Sequence, residues 1–183
     1  KLEELREKWK SEGDKWPEVV HNMRHRIGLN TGQIVAGNMG SSVRMSYTMM
    51  GDAVNTTARL ESGAKQYGIE SQVGEKIYEA TKDKFVYRHL DHVRVKGKKN
   101  PVKTFELISE IGKEPNTYKK LIPLWDKAVG MYKKQKWDEA IKLFEECDKL
   151  EEKYIGRPTN PSLFFIDRCN EFKAIPPTKD WDG

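Results

Sequence analysis

The sequence predicts an α+β domain followed by an all-α region. Residues 85–95 alternate between apolar and polar side chains, which is typical of a strand. Residues 44–61 have the composition of a strand, a tight turn at Gly51 and a helix. Beyond Gly112 the chain keeps helical spacing throughout, so strands and helices mix only in the first part.

The first elements are short. Residues 1–13 place Leu2, Leu5 and Trp9 at helical spacing, and residues 25–30 form a candidate strand. Residues 33–36 form a second short run, and the small residues 37–42 that follow are interpreted as a plain turn. These small residues do not form a phosphate-binding P-loop, because the sequence lacks G-x-x-x-x-G-K-[ST].

The central stretch, residues 44–61, contains two polar residues of types that bind ligands or take part in catalysis. Asn55 and Arg59 lie four residues apart and therefore share one helix face. An amide and a fixed cation suit the charge of a reacting phosphate, although such a pair taken alone is usually an ordinary solvated one. Asp52 is placed to cap this helix, and Gly68 to end it.

The remaining elements of the first part follow at close spacing. We predict an extended run at residues 71–73, a helix over 75–81, a strand over 85–95 and a closing strand over 102–108. The tight loop between the second and third strands predicts an antiparallel hairpin.

The last third is predicted to be helical. Three helices are expected, over residues 121–134, 137–153 and 161–174. The first two resemble one tetratricopeptide unit in their spacing of small and bulky residues, although a plain helical hairpin without a binding role is the simpler interpretation. A single unit needs neighbours, so it should pack on the sheet or on a partner protein.

Composition excludes several classes of function. With 33 basic and 28 acidic residues in mixed order, the chain carries a net charge of +5 and no charged block that would indicate nucleic-acid binding. Its two cysteines do not form a disulfide framework and favour a reducing compartment. We expect a cytoplasmic protein, or one on the cytoplasmic side of a membrane if a preceding region carries an anchor.

Three blocks in order carry a family resemblance. They are RIGLNTGQIVAGNMGS at residues 26–41, RMSYTMMGDAVNTTARLE at residues 44–61, and RVKGKKNPV at residues 94–102. Together they closely resemble the class III adenylate/guanylate cyclase catalytic domain. The resemblance covers roughly residues 1–110, and the region after it resembles the helical extension of some bacterial members. It implies an incomplete ferredoxin-like cyclase sheet domain followed by an all-α helical-hairpin extension.

The resemblance implies an adenylate cyclase, which converts ATP to 3′,5′-cyclic AMP and pyrophosphate. By the family's motif, Asn55 orients the ribose and Arg59 stabilises charge at the reacting phosphate. Lys96 grips the terminal phosphates. Thr48 occupies the base-selecting position, where a hydroxyl in place of the cysteine typical of GTP users favours adenine.

The same resemblance implies what the chain lacks. Two Mg or Mn ions serve the family's reaction, and the aspartates that bind them belong to segments absent from this sequence, so no metal residue is assigned. The family pairs two domains head to tail, so a second cyclase domain is the expected partner. The chain alone is predicted to be inactive.

The sequence predicts three divisions of the chain: a cyclase portion at residues 1–110, a linker at 111–117 and the helical extension at 118–183.

The alternative to an enzyme is a non-catalytic module with a cyclase-like half and a helical repeat that binds a protein. Retention of Thr48, Asn55, Arg59 and Lys96 together favours the enzyme.

Overall fold

The computed structural model describes residues 1–93, 101–178 and 181. The strands are β1 (Ile27–Leu29), β2 (Val35–Gly40), β3 (Met45–Met50), β4 (Ser71–Gly74), β5 (Phe85–Val93) and β6 (Val102–Glu110). The helices are α1 (Leu2–Ser11), α2 (Glu18–His21), α3 (Asp52–Tyr67), α4 (Glu75–Thr81), α5 (Asn116–Lys133), α6 (Trp137–Asp148) and α7 (Pro161–Ala174). The predicted α+β class with C-terminal helices is confirmed.

The main sheet has four strands in the order β1-β4-β6-β5. Strands β1 and β4 run parallel, whereas β6 is antiparallel to both of its neighbours. Helix α3 packs on β1 and β4, and Gly28 allows this because a Cβ there would lie 2.3 Å from the backbone oxygen of Thr57. The sheet therefore fixes one side of α3 at very close range.

The two faces of the sheet bury different groups. Arg88 and Glu106 are paired across β5 and β6, and Arg88 makes its ion pairs on the face that the C-terminal helices cover. His89 and Phe105 are paired on the other face, where the Tyr78 ring of α4 stacks on Phe105 at 3.9 Å. The alternation that predicted β5 is thus confirmed as far as Val93.

The β2–β3 hairpin forms a two-stranded sheet of its own. Its strands run antiparallel, and the interpretation of residues 37–42 as a plain turn is wrong, because Gly37 to Gly40 pair with β3. The small residues of this segment indicated a turn, whereas backbone hydrogen bonds to β3, which do not depend on side chains, hold it as a strand. Apolar side chains of the hairpin are exposed: Val35, Met45, Tyr47, Met49 and Met50.

The C-terminal helices pack on the sheet and share its core. Leu90 of β5 lies in one buried cluster with Ala64 and Tyr67 of α3 and with residues of α5, α6 and α7. The indole Nε1 of Trp125 donates to the backbone oxygen of His89 at 2.6 Å. Of the two predicted alternatives, packing on the sheet or on a partner protein, the structure shows packing on the sheet.

Two helix boundaries in this region differ from the prediction by five residues each. Helix α5 begins at Asn116, five residues before the predicted start. Helix α6 ends at Asp148, because Glu151 turns inward to pair with buried Arg88 instead of continuing on the helix surface. Helix α7 spans the residues predicted for it. Among the helices that the structure describes, none has both the length and the hydropathy for a bilayer crossing.

Candidate active site

Helix α3 begins immediately after the β3 strand. Gly51 forms the N-cap with φ 145°, and a Cβ at this position would lie 3.3 Å from the backbone oxygen of Gln33. The backbone N–H of Asn55 donates to the Gly51 oxygen at 3.2 Å. Asp52 was predicted to cap the helix, but it is the first helical residue, and Gly51 is the cap. The Asp52 carboxylate in the first turn still stabilises the positive end of the helix dipole.

Asn55 and Arg59 are both exposed on α3. The buried side of this helix is formed by Thr56, Leu60, Ala64 and Tyr67. The helical spacing thus divides α3 into one side that packs on the protein and another on which the Asn55 amide and the Arg59 guanidinium are exposed. Both side chains lie within the first half of the helix.

Thr48 lies near the end of β3, opposite Gly37, and is also exposed. The chain passes from this threonine through Gly51 directly into α3. Thr48, Asn55 and Arg59 are therefore surface residues of one strand–turn–helix unit. Lys96 lies outside the described residues.

A cavity of about 370 Å³ adjoins Arg59. Val93 and Val102, the residues next to the connection that contains Lys96, both line this cavity with Arg59. Val93 and Val102 therefore lie on the same side of α3 as Arg59.

The base of this cavity contains polar atoms that the sequence reasoning missed. Thr56 and Gln72 are almost fully buried, and within the described residues Thr56 Oγ1 and Gln72 Oε1 have no hydrogen-bond partner. Thr56 stands beside Asn55 in the motif and could have been noticed there. Gln72 lies in a strand that reads as an ordinary core strand, so no signal identified it.

Carboxylates near the start of α3 are the candidate ligands for a metal ion. Asp52 and Glu75 both line a second cavity, of about 630 Å³, which also contacts Thr56 and Val102. Among residues 1–93, 101–178 and 181, however, no three His, Cys, Asp or Glu side chains come together to hold a metal ion. The described residues therefore do not fit a two-metal centre.

Comparison with known proteins identifies the family. Residues 5–109 match the family described as the adenylate and guanylate cyclase catalytic domain, which is more than half of the chain. The chain belongs to this family. The matched residues include the whole strand–turn–helix unit of Thr48, Asn55 and Arg59.

Relatives of this cyclase domain include adenylate cyclases. The terminal-differentiation specific adenylate cyclase of Dictyostelium discoideum is 32% identical over 148 residues, which are 78% of this chain and 7% of that protein. An adenylate cyclase of Mycobacterium tuberculosis is 48% identical over 73 residues, 40% of this chain and 16% of the relative. The chain thus spans a small share of the length of these relatives.

Solved structures that resemble this chain include a bacterial cyclase. The adenylyl cyclase CyaB from P. aeruginosa has 28% identity and a TM-score of 0.47, covering 62% of this chain and 55% of its own.

Proposed function

We propose that this cyclase domain contributes the substrate-contacting residues of an adenylate cyclase, which forms 3′,5′-cyclic AMP and pyrophosphate from ATP. The observation that carries the proposal is the exposure of Asn55 and Arg59 on one helix that follows directly from the strand of Thr48. The adenylate cyclases among the relatives support it. An ATP substrate and free cysteines favour a cytoplasmic setting.

Each residue has a separate task in this proposal. Arg59 neutralises charge that develops on the reacting phosphate, and its planar guanidinium can donate to two oxygens at once. Asn55, one turn earlier on α3, offers both a donor and an acceptor to the ribose hydroxyls. Thr48 accepts from the adenine amino group, and Lys96 binds the terminal phosphates.

Two Mg or Mn ions are the proposed cofactors. Since the described residues do not present the ligands for them, we propose that aspartates outside this sequence bind them, and no step of the present mechanism is assigned to the ions. The 183-residue chain alone should then yield no cyclic AMP.

A second cyclase domain is the proposed partner. The β2–β3 hairpin supports this, because Tyr47 is 75% exposed and the neighbouring Met45 and Met49 are also exposed. A two-stranded hairpin with exposed apolar side chains is marginally stable in water and gains stability when another surface covers it.

The decisive experiment supplies the missing ligands. The half of the mycobacterial adenylate cyclase domain that precedes the matched residues is the proposed source of the metal ligands. It is fused before residue 1, and cyclic AMP is measured with ATP and Mn. We expect activity that Arg59→Ala lowers by at least ~100-fold, the usual effect of removing a charge-stabilising donor. Arg26→Ala is the matched control, because Arg26 is also exposed beside α3 and pairs with Glu61 at 3.0 Å.

Two further measurements distinguish ATP from GTP as the substrate and a cyclase from a non-catalytic interaction module. ATP should be used in preference to GTP, and Thr48→Ala should reduce that preference. Full activity in Arg59→Ala would refute the catalytic role. A folded fusion without any activity would favour the non-catalytic interaction module.

A further inference from the structure

The C-terminal end of α3 is held by the segment that precedes α7. The guanidinium Nε of Arg157 donates to the backbone oxygen of Gly68 at 2.8 Å. Gly68 has a left-handed φ of 61°, and a Cβ there would lie 2.0 Å from the backbone oxygen of Thr159. The helical extension therefore contacts the end of α3 at backbone distance, and its arginine satisfies a carbonyl that the helix leaves unpaired.

A second attachment lies one residue earlier. Tyr67 donates its hydroxyl to Asp91 Oδ2 at 2.8 Å, and Arg168 of α7 donates to the same oxygen at 2.5 Å. The Phe164 ring of α7 meets the Tyr67 ring edge-on at 4.6 Å. Burial and the nearby Asp91 carboxylate raise the pKa of Tyr67, which keeps the donor protonated. Strand β5, α7 and α3 thus meet at Asp91.

The two flanks of α3 differ. On one flank Asn30 Nδ2 donates to the Ala53 oxygen at 3.2 Å, and Gly28 lies directly against the helix backbone. The other flank, with Arg59, Gly63 and Gln66, borders the cavity of about 370 Å³. The far wall of that cavity comes from the helical extension: Tyr132, Arg168, Phe172 and Trp181.

The length of α3 converts small movements at its end into displacements at the site. Arg59 precedes Tyr67 by eight residues, so the two are about 12 Å apart along the axis at 1.5 Å per residue. A tilt of about 5° at the C-terminal end would move Arg59 by roughly 1 Å. A misplacement of that size costs on the order of 100-fold in rate when it affects a positioned catalytic group.

We propose that Arg168 and Arg157 are positioning residues, through which the helical extension sets the orientation of α3 and hence the location of Asn55 and Arg59. The consequence for the reaction rests on the proposed function, whereas the orientation of the helix does not. The extension is then a structural part of the catalytic unit.

The test measures the helix and the reaction separately. In the 183-residue chain, hydrogen exchange of the α3 amides is compared between wild type, Arg168→Met and Tyr67→Phe. We expect α3 amides near Arg59 to exchange at least ~10-fold faster, beyond what the change in global stability explains. Lys173→Met is the matched control, because Lys173 also links α7 to a neighbouring helix, through Asp138 of α6, away from α3.

The same variants are then placed in the fusion with the mycobacterial half. Arg168→Met should lower kcat at least ~10-fold with little change in KM for ATP, and Arg168→Lys should restore part of it. An inactive wild-type fusion would refute the proposed function, and the exchange data would still decide whether α7 orients α3. Unchanged exchange in α3, or an unchanged kcat in an active fusion, would overturn the positioning role.

Discussion

Arg88 and Glu151 form a fully buried ion pair, with 2.6 Å between Arg88 Nη1 and Glu151 Oε1. Arg88 also pairs with Glu106 at 2.6 Å, and Arg157 approaches Glu151 at 3.3 Å. Two arginines and two glutamates thus balance their charges between β5, β6 and the segment after α6. The guanidinium of Arg88 lies 4.9 Å from the Trp125 ring centre. This network joins the sheet to the helical extension.

Removing Arg88 should lower the stability of the folded protein strongly, because this ion-pair network is buried. Arg88→Met would leave Glu106 and Glu151 buried near each other, and breaking a buried pair on one side typically costs about 3–5 kcal/mol. Glu151→Gln should cost less, because Arg88 keeps Glu106. Urea denaturation measures both. Lys149→Met, in an exposed pair with Glu146, is a control expected to change stability far less, because solvent screens this pair. Similar losses for Arg88→Met and Lys149→Met would contradict the prediction.

His89 should make the protein less stable in mild acid. Burial, followed by the nearby charges of Lys133 and His92, lowers the pKa of His89 to about 4 from its ordinary value of 6.5. Since the unfolded chain binds this proton first, stability should fall as pH decreases through 6.5 and continue to fall until about 4.

The measurement compares unfolding free energies at pH 7.5 and pH 5. The His89→Phe variant, whose ring can keep the edge contact with Phe105 at a centroid distance near 5.3 Å, should lose less stability between these pH values than wild type. An equal loss in both proteins would show that other groups account for the acid sensitivity.

The two cysteines should be unreactive in the folded protein. Cys147 and Cys169 are fully buried, and burial raises the pKa of each thiol to about 12. Because the thiolate is the reactive form, alkylation at pH 8 should be limited by opening of the structure. Mass spectrometry should detect both labels rapidly in urea and slowly without it. Rapid native labelling of either cysteine would refute this placement.

Gly68→Ala should destabilise the protein more than an ordinary helix-cap substitution. The left-handed φ alone costs roughly 1 kcal/mol in a non-glycine residue, and the new Cβ would clash with the Thr159 backbone. We expect a loss of at least about 2 kcal/mol in thermal or urea unfolding. Gly112→Ala is the control: Gly112 also has a positive φ, of 87°, but nothing lies within 4 Å of its Cβ position. Equal losses in the two variants would exclude a contribution from Thr159.

Local signals predicted much of the fold. Gly68 ends α3 as expected, and α4 and α7 occupy their predicted residues, because caps and hydrophobic spacing act over a few positions. The strand at Gly37 to Gly40 was missed because its pairing depends on a partner strand rather than on side chains. The inward turn of Glu151 was missed because Arg88 lies 63 residues earlier in the sequence.

The candidate site was predictable in its motif but not in its surroundings. That Asn55 and Arg59 share one face of α3 follows from helical spacing alone, and the structure shows this face exposed. The cavity beside Arg59 depends on α7 and Trp181, which approach α3 only in the folded chain. The roles of Thr48, Asn55, Arg59 and Lys96 stay predictions until activity is measured.

The core shared by Leu90, Tyr67 and the C-terminal helices has a practical consequence for protease cleavage. A protease that cuts near Gly112, between β6 and α5, would sever the backbone without separating the two pieces. They should co-elute under native conditions and come apart only in denaturant, so survival of the cut species would mark a single cooperative folding unit.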